Sequence, residues 1–127
     1  MSAHNETVQA YFAALDSNDL DAMLKLFAAD ASVLSPMLGE VRAADFFPKV
    51  FGASSATSIT VFDILVSADG QPRAVGYFNY DWTLKDGSVI LFDAADVFDF
   101  DSDGRITKLT ILYDTHPIRD EVGNKYE

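Results

Sequence analysis

The chain has 127 residues, 49% of them hydrophobic and 13% aromatic with ten Phe, which suffices for one domain around one core. Twenty acidic against nine basic residues leave a formal charge of −11 with no Lys/Arg run, which argues against nucleic acid and membrane surfaces as partners. With no Cys, a disulfide framework and thiolate-held clusters are excluded; the two His, far apart in the chain, argue against a zinc site, and neither a metal nor another cofactor is expected.

The first residues, Met1 to Thr7, have neither the basic start nor the apolar core of a signal peptide, and no apolar stretch approaches membrane-spanning length. A cytoplasmic location is the expectation. Val8, Phe12 and Leu15 share one face at helical spacing with Tyr11 beside them, predicting a helix that stops near Asp16-Ser17-Asn18. Asn18 or Asp19 then caps a second helix with Leu20, Met23, Leu24 and Phe27 as its apolar stripe, ending around Ala28 to Asp30. Ala31 to Leu34 reads as a short strand. A third helix starts at Asp45, with Pro48 in its first turn, and carries Phe47, Val50 and Phe51. Strands follow from Thr57 to Ser67, Arg73 to Lys85, Ser88 to Phe100 and Arg105 to Thr115, a meander divided by Asp-Gly turns.

Asp86-Gly87 is a two-residue hairpin signal, so positions summing to 173 are expected to pair. That register sets Tyr77 opposite Asp96, Asn79 opposite Ala94, Asp81 opposite Phe92 and Thr83 opposite Ile90 on one face, with Trp82, Tyr80 and Phe78 on the other. Both faces are largely apolar. The helices cover one, and a homodimer through the Trp82 face is expected to cover the other.

Asp96 lies between apolar alternate residues, Ile90, Phe92, Ala94, Phe98 and Phe100, and so points into an apolar face. Desolvation raises the pKa of such a carboxyl, which can leave it protonated and able to donate a hydrogen bond. The same burial also fits a structural hydrogen bond to Tyr77 or Tyr11. Tyr113 follows Leu109 and Ile111 on the inward parity of the last strand, and all three are expected to line the cavity with Phe92 and Phe98.

The segments Tyr11-Phe12-Ala13-Ala14-Leu15, Asp19-Leu20-Asp21, Leu26-Phe27-Ala28 and Asp30-Ala31, with the helix-then-meander order, resemble the nuclear transport factor 2-like superfamily, in particular its SnoaL-like and ketosteroid isomerase-like members. The resemblance covers nearly the whole chain. It implies a single domain over residues 1–127 with an α+β, cone-shaped fold, three N-terminal helices packed on a curved, mainly antiparallel β-sheet. It places Tyr11 at the family's oxyanion-binding tyrosine and Asp96 at its protonated aspartate; ketosteroid isomerase is the standard case of a carboxylic acid kept neutral by an apolar site. Where the family has its general base, an aspartate before a proline, this chain has Ser35-Pro36, and a hydroxyl is too weak a base to replace it.

Asp81, two residues beyond Asn79 on the expected pocket face, is the substitute base, or else a solvated carboxylate at the cavity mouth. Asn79, Asp81 and Asp96 also resemble the polar set of limonene epoxide hydrolase, but without its arginine. Asp81 and Asp96 would in addition stand roughly 13 Å apart along the hairpin. Tyr77 and Asn79 are ligand-orienting candidates, or groups that satisfy each other. Asp99 to Gly104 imitates half of a calcium loop, but Thr110 stands where the bidentate Glu belongs and both flanks alternate like strands. His116 would be a base only if the tail folds over the pocket.

These readings converge on a catalytic set of Tyr11, Asp96 and Asp81 and a binding set of Ser35, Tyr77, Asn79, Phe92, Phe98, Leu109, Ile111 and Tyr113. The expected ligand is a small hydrophobic oxygenated molecule, turned over by an isomerase, dehydratase or cyclase. The alternatives are a non-catalytic binding domain and an epoxide hydrolase.

Overall fold

The computed structural model describes residues 3–115, so His116 and the rest of the tail lie outside the described residues. In chain order the elements are α1 (Ala3–Ser17), α2 (Leu20–Leu24), β1 (Phe27–Ser35), β2 (Gly39–Arg42), α3 (Ala43–Ala53), β3 (Ser54–Val66), β4 (Arg73–Leu84), β5 (Val89–Phe100) and β6 (Ile106–Tyr113). Helix α1 buries Val8, Tyr11, Phe12, Ala14 and Leu15, the stripe their spacing dictates. It ends where Asn18 takes φ 57, a left-handed conformation that Asn tolerates better than most residues. Asp19 then caps α2 through its carboxylate, which accepts from Ala22 N at 3.1 Å.

Two local readings are corrected. Helix α2 stops at Leu24 instead of reaching Ala28 to Asp30, because Phe27 opens β1 and pairs in parallel with Ile106, whose N–H donates to Leu26 O at 2.9 Å. A long-range ladder takes residues that local periodicity assigned to a helix. Helix α3 begins before Asp45, so Pro48 sits inside it and forgoes the backbone bond to the carbonyl four residues back.

One six-stranded sheet runs in the order β2-β1-β6-β5-β4-β3, curved and antiparallel except for the parallel β1–β6 pair, and the fold is α+β. The last four strands form the expected meander; β2 and the β1–β6 crossover were not legible in the sequence. The Asp99 to Gly104 segment closes a hairpin: Gly104 N donates to Asp101 O at 3.1 Å, and Asp101 Oδ1 accepts from Asp103 N at 2.9 Å and Arg105 N at 3.0 Å. Helix α1 is tied to the sheet where Asp16 Oδ1 accepts from Ile59 N at 2.8 Å. Its central contact is Phe12 against Gly76, where an added Cβ would fall 2.5 Å from the ring. Among the described residues, no helix is long and apolar enough to cross a membrane.

The β4–β5 register differs from the expected one by a single residue. Positions pair as Thr83↔Val89, Tyr80↔Phe92 and Gly76↔Asp96. The turn explains it: Gly87 N donates to Leu84 O at 3.0 Å, Leu84 N donates to Ser88 O at 2.8 Å, and Gly87 has φ 89. This is a type I turn closed by a left-handed glycine, a three-residue loop over residues 85–87. A two-residue type I′ turn would need positive φ at Asp86 as well, and Asp86 has none. Its carboxylate instead accepts from Ser88 N at 2.9 Å.

A one-residue slip exchanges the faces of β4. Phe78, Tyr80 and Trp82 therefore point toward the helices, while Tyr77, Asn79 and Asp81 point away from them. The Trp82 face is thus the covered one, and Trp82 Nε1 donates to Ser54 Oγ at 2.6 Å. The face left open carries Tyr77, Leu91 and Leu112, each about half exposed, with Phe62 against Tyr77 at 4.9 Å.

Candidate functional site

Between the helices and the covered sheet face lies a cavity of about 360 Å³. Helix α3 contributes Phe46, Phe47 and Val50, β4 contributes Phe78, Tyr80 and Trp82, and β5 contributes Ile90, Phe92, Ala94 and Asp96. Ile111 and Tyr113 of β6 and Ser35, Met37 and Leu38 of the β1–β2 turn complete it with Tyr11 and Leu15 of α1. The size and apolar lining suit a compact organic molecule oriented by a few polar groups.

Those polar groups are few. Tyr11 Oη donates to Asp96 Oδ2 at 3.0 Å, and both side chains are almost completely buried. Burial pushes Asp96 up to a pKa of about 7, against a smaller downward pull from the Tyr11 hydrogen bond. Tyr11 is raised well above the usual phenol range, first by burial and then by the Asp96 charge. Tyr11 spends its proton on Oδ2, while Asp96 Oδ1 is buried without a protein partner among the described residues. When Asp96 is protonated on Oδ1, the acid has a donor directed at no protein group and Tyr11 steadies the other oxygen.

Ser35 lies on the cavity wall, but its Oγ accepts from Met37 N at 3.2 Å and Leu38 N at 3.4 Å, so it holds the β1–β2 turn. Tyr80 was assigned to the wrong face by the expected register. Its hydroxyl is buried, its pKa is raised mainly by burial, and it is near enough to Asp96 to respond to that charge. Thr57 lies beside it and moderates the shift, yet the geometry of a hydrogen bond is not met and both hydroxyls lack a partner.

Of the sequence-derived candidates, the cavity assembles Tyr11, Asp96, Ser35, Phe92, Ile111 and Tyr113. Phe98 and Leu109 are fully buried core residues that do not line it; Phe98 packs behind the Tyr11 ring at 4.9 Å. Asp81, Tyr77 and Asn79 lie on the opposite sheet face, and Asn79 Nδ2 donates to Asp93 Oδ1 at 2.9 Å. Tyr80, Trp82 and Phe78 take their place. Their own alternation was visible in the sequence, but only the turn geometry decides which parity faces the helices. Among the described residues, no group of three or more His, Cys, Asp or Glu is placed to hold a metal.

Residues 8–109, most of the chain and including Tyr11 and Asp96, match the model of the SnoaL-like domain. The chain belongs to the SnoaL-like domain family. This SnoaL-like domain also resembles solved structures of the nuclear transport factor 2-like fold. A protein of unknown function from Burkholderia pseudomallei superposes with TM-score 0.78 at 20% identity over 93% of this chain and 95% of that one. The epoxide hydrolase/cyclase-like enzyme SalBIII gives 0.73 at 22% identity, covering 87% of this chain and 90% of its own. An M. tuberculosis epoxide hydrolase of the limonene epoxide hydrolase-like kind gives 0.75 at 18% identity, covering 90% and 84%. At such identities the likeness concerns the fold alone. Among curated proteins, none matches the sequence of this SnoaL-like domain.

Proposed function

We propose that this SnoaL-like domain binds a compact hydrophobic carbonyl compound or related oxygenated molecule and acts on it, without a cofactor, as an isomerase, dehydratase or cyclase. The observation that carries this reading is Asp96: a buried carboxyl with a pKa of about 7, one oxygen held by Tyr11 and the other unpartnered at the wall of an apolar cavity. A neutral acid so placed donates to an oxygen on which negative charge develops, and losing one such donor typically costs about two orders of magnitude in rate. Asp81 drops out of the catalytic set because it faces away from the cavity. Asp96 is the carboxyl among the cavity-lining residues, and a pKa near neutrality also suits it to move a proton.

A fluorescence titration with a naphthol, which imitates an enol, tests the site. Binding that weakens in Asp96→Leu supports it, and binding indifferent to Asp96→Leu removes it. A second reading, a ligand carrier without catalysis, is favoured by Ser35, whose hydroxyl is engaged in the turn at the position where the resemblance calls for a base. Recovery of unchanged ligand with no product would select it. The epoxide hydrolase alternative is disfavoured, since Asp81 and Asp96 lie on opposite sheet faces. The proposed homodimer moves to the open face around Tyr77, Leu91 and Leu112, where closing one exposed apolar patch on its copy removes both from water.

A further inference from the structure

Burial falls along the cavity in one direction. On β5 the inward-facing Asp96 and Ala94 are buried, whereas Phe92 and Ile90, nearer the Asp86-Gly87 turn, are partly exposed. On β4, Phe78 and Tyr80 are buried and Trp82, opposite Ile90, is partly exposed. On β6, Leu109 is buried, while Tyr113, opposite Ala94, is partly exposed. The parallel β1–β6 pair sets Leu34 beside Thr110, so the chain after Ser35 leaves the sheet at the Tyr113 end. There Met37 and Leu38 line the cavity while 38% and 54% exposed. Asp96, 1% exposed, thus stands at the closed end, and these side chains edge the mouth.

The mouth is apolar. Trp82 spends its N–H on Ser54 Oγ, and Met37 and Leu38 offer no side-chain donor. Both leave hydrocarbon in water, and an apolar part of a ligand laid against them removes both surfaces from water at once. The turn does not need these side chains, because Ser35 Oγ holds it through the backbone N–H groups of Met37 and Leu38. The inward row of β5 from Asp96 to Ile90 covers six residue steps, roughly 20 Å at strand rise, which sets the scale of a ligand reaching from one end to the other.

We propose that Met37 and Leu38 are specificity-determining residues that contact the far end of the ligand, so that the substrates are molecules with one oxygen-bearing end at Asp96 and an apolar arm extending to the cavity mouth. This rests on the Asp96 reading above and narrows it to a substrate class. The ligand enters oxygen first, since the carboxyl lies at the closed end and hydrocarbon lines the way out.

The test measures by calorimetry the binding of para-ethyl-, para-butyl-, para-hexyl- and para-octylphenol to the wild type, a Met37→Ser, Leu38→Ser double variant, Leu38→Met, Asp96→Leu and, as a control exposed on the open face, Val89→Ser. In the wild type and in Val89→Ser, affinity is expected to rise by up to about fourfold per methylene until the arm passes the mouth, and then to level off. The double variant is expected to bind para-ethylphenol within about twofold of the wild type and para-hexylphenol about tenfold more weakly, while Leu38→Met, which keeps an apolar side chain, retains the preference for the longer arm. A double variant that weakens the short and long phenols equally, or neither, overturns the role of Met37 and Leu38 while para-ethylphenol binding that depends on Asp96 still stands. Binding of para-ethylphenol indifferent to Asp96→Leu overturns the Asp96 reading and this inference with it.

Discussion

Gly76 faces Asp96 across the β4–β5 ladder, and the side chain that Gly76 lacks is the space into which the Phe12 ring settles. Helix α1 thereby comes close enough to the sheet for Tyr11, the neighbour of Phe12, to reach Asp96 Oδ2. Gly76→Ala is expected to destabilise the domain by about 1–3 kcal/mol through overpacking. Urea unfolding measures the loss, and recovery in a Gly76→Ala, Phe12→Leu double variant would trace it to this contact. An unchanged midpoint would mean that α1 lifts from the sheet freely.

Asp96 makes stability depend on pH in a fixed direction. Its folded pKa of about 7 lies above the ordinary carboxyl value, so between about pH 4 and about pH 7 the unfolded chain loses a proton that the folded one keeps. Its contribution is fully present below about pH 4, falls as pH rises, and is gone above about pH 7, a loss of roughly 4 kcal/mol. Unfolding free energies from pH 4 to about 8 should fall by this much more in the wild type than in Asp96→Asn. Parallel curves would show Asp96 ionised in the folded state.

Ligand binding should follow the same proton. An aromatic ketone that does not itself titrate is expected to bind tightly below pH about 7 and progressively more weakly above it, as the neutral donor is lost. Asp96→Asn keeps an N–H donor at all pH values, so its profile should be flat. Calorimetry across this range decides the matter, and a wild-type profile as flat as the variant's would rule out the protonated acid as the donor.

Ser35 offers a test by gain of function. Its side chain lies on the cavity wall and caps the turn through Met37 N and Leu38 N, contacts that an aspartate can also accept. Ser35→Asp is expected to introduce a base on the wall of the cavity that Asp96 also lines and to raise deuterium exchange next to the carbonyl of a bound aromatic ketone by about tenfold or more, read by NMR. No increase, in a variant that still binds the ketone, would place that carbon out of reach of residue 35.

The two sheet faces separate by charge insertion. Leu91→Glu, on the open face, is expected to shift sedimentation toward the monomer with little loss of fold. Trp82→Glu strips the bond to Ser54 and puts a carboxylate into the cavity wall, and should instead lower the melting temperature by several degrees. An identical sedimentation profile for wild type and Leu91→Glu would remove the proposed dimer face.

Helical spacing in Val8, Tyr11, Phe12 and Leu15, the Asp19 cap and the alternation of β4 to β6 are local properties, so the helices, the meander and the α+β class were legible in the sequence. The placement of Tyr11 and Asp96 on one cavity was legible as well, the first by resemblance and the second by its apolar neighbours. Three things required tertiary structure. The parallel pairing that turns Phe27 from helix to strand joins residues at opposite ends of the chain, and no local pattern announces it. The face that β4 turns to the cavity hangs on one turn: Asp86-Gly87 is compatible with two loops differing by one residue, and the difference carries Asp81 and Asn79 out of the cavity and brings Tyr80 in. Ser35 stands where the resemblance expects a base, but its attachment to the turn depends on how the chain folds back after Pro36. Composition and periodicity are summed over many residues and survive small errors, whereas a site depends on a parity that a single residue reverses.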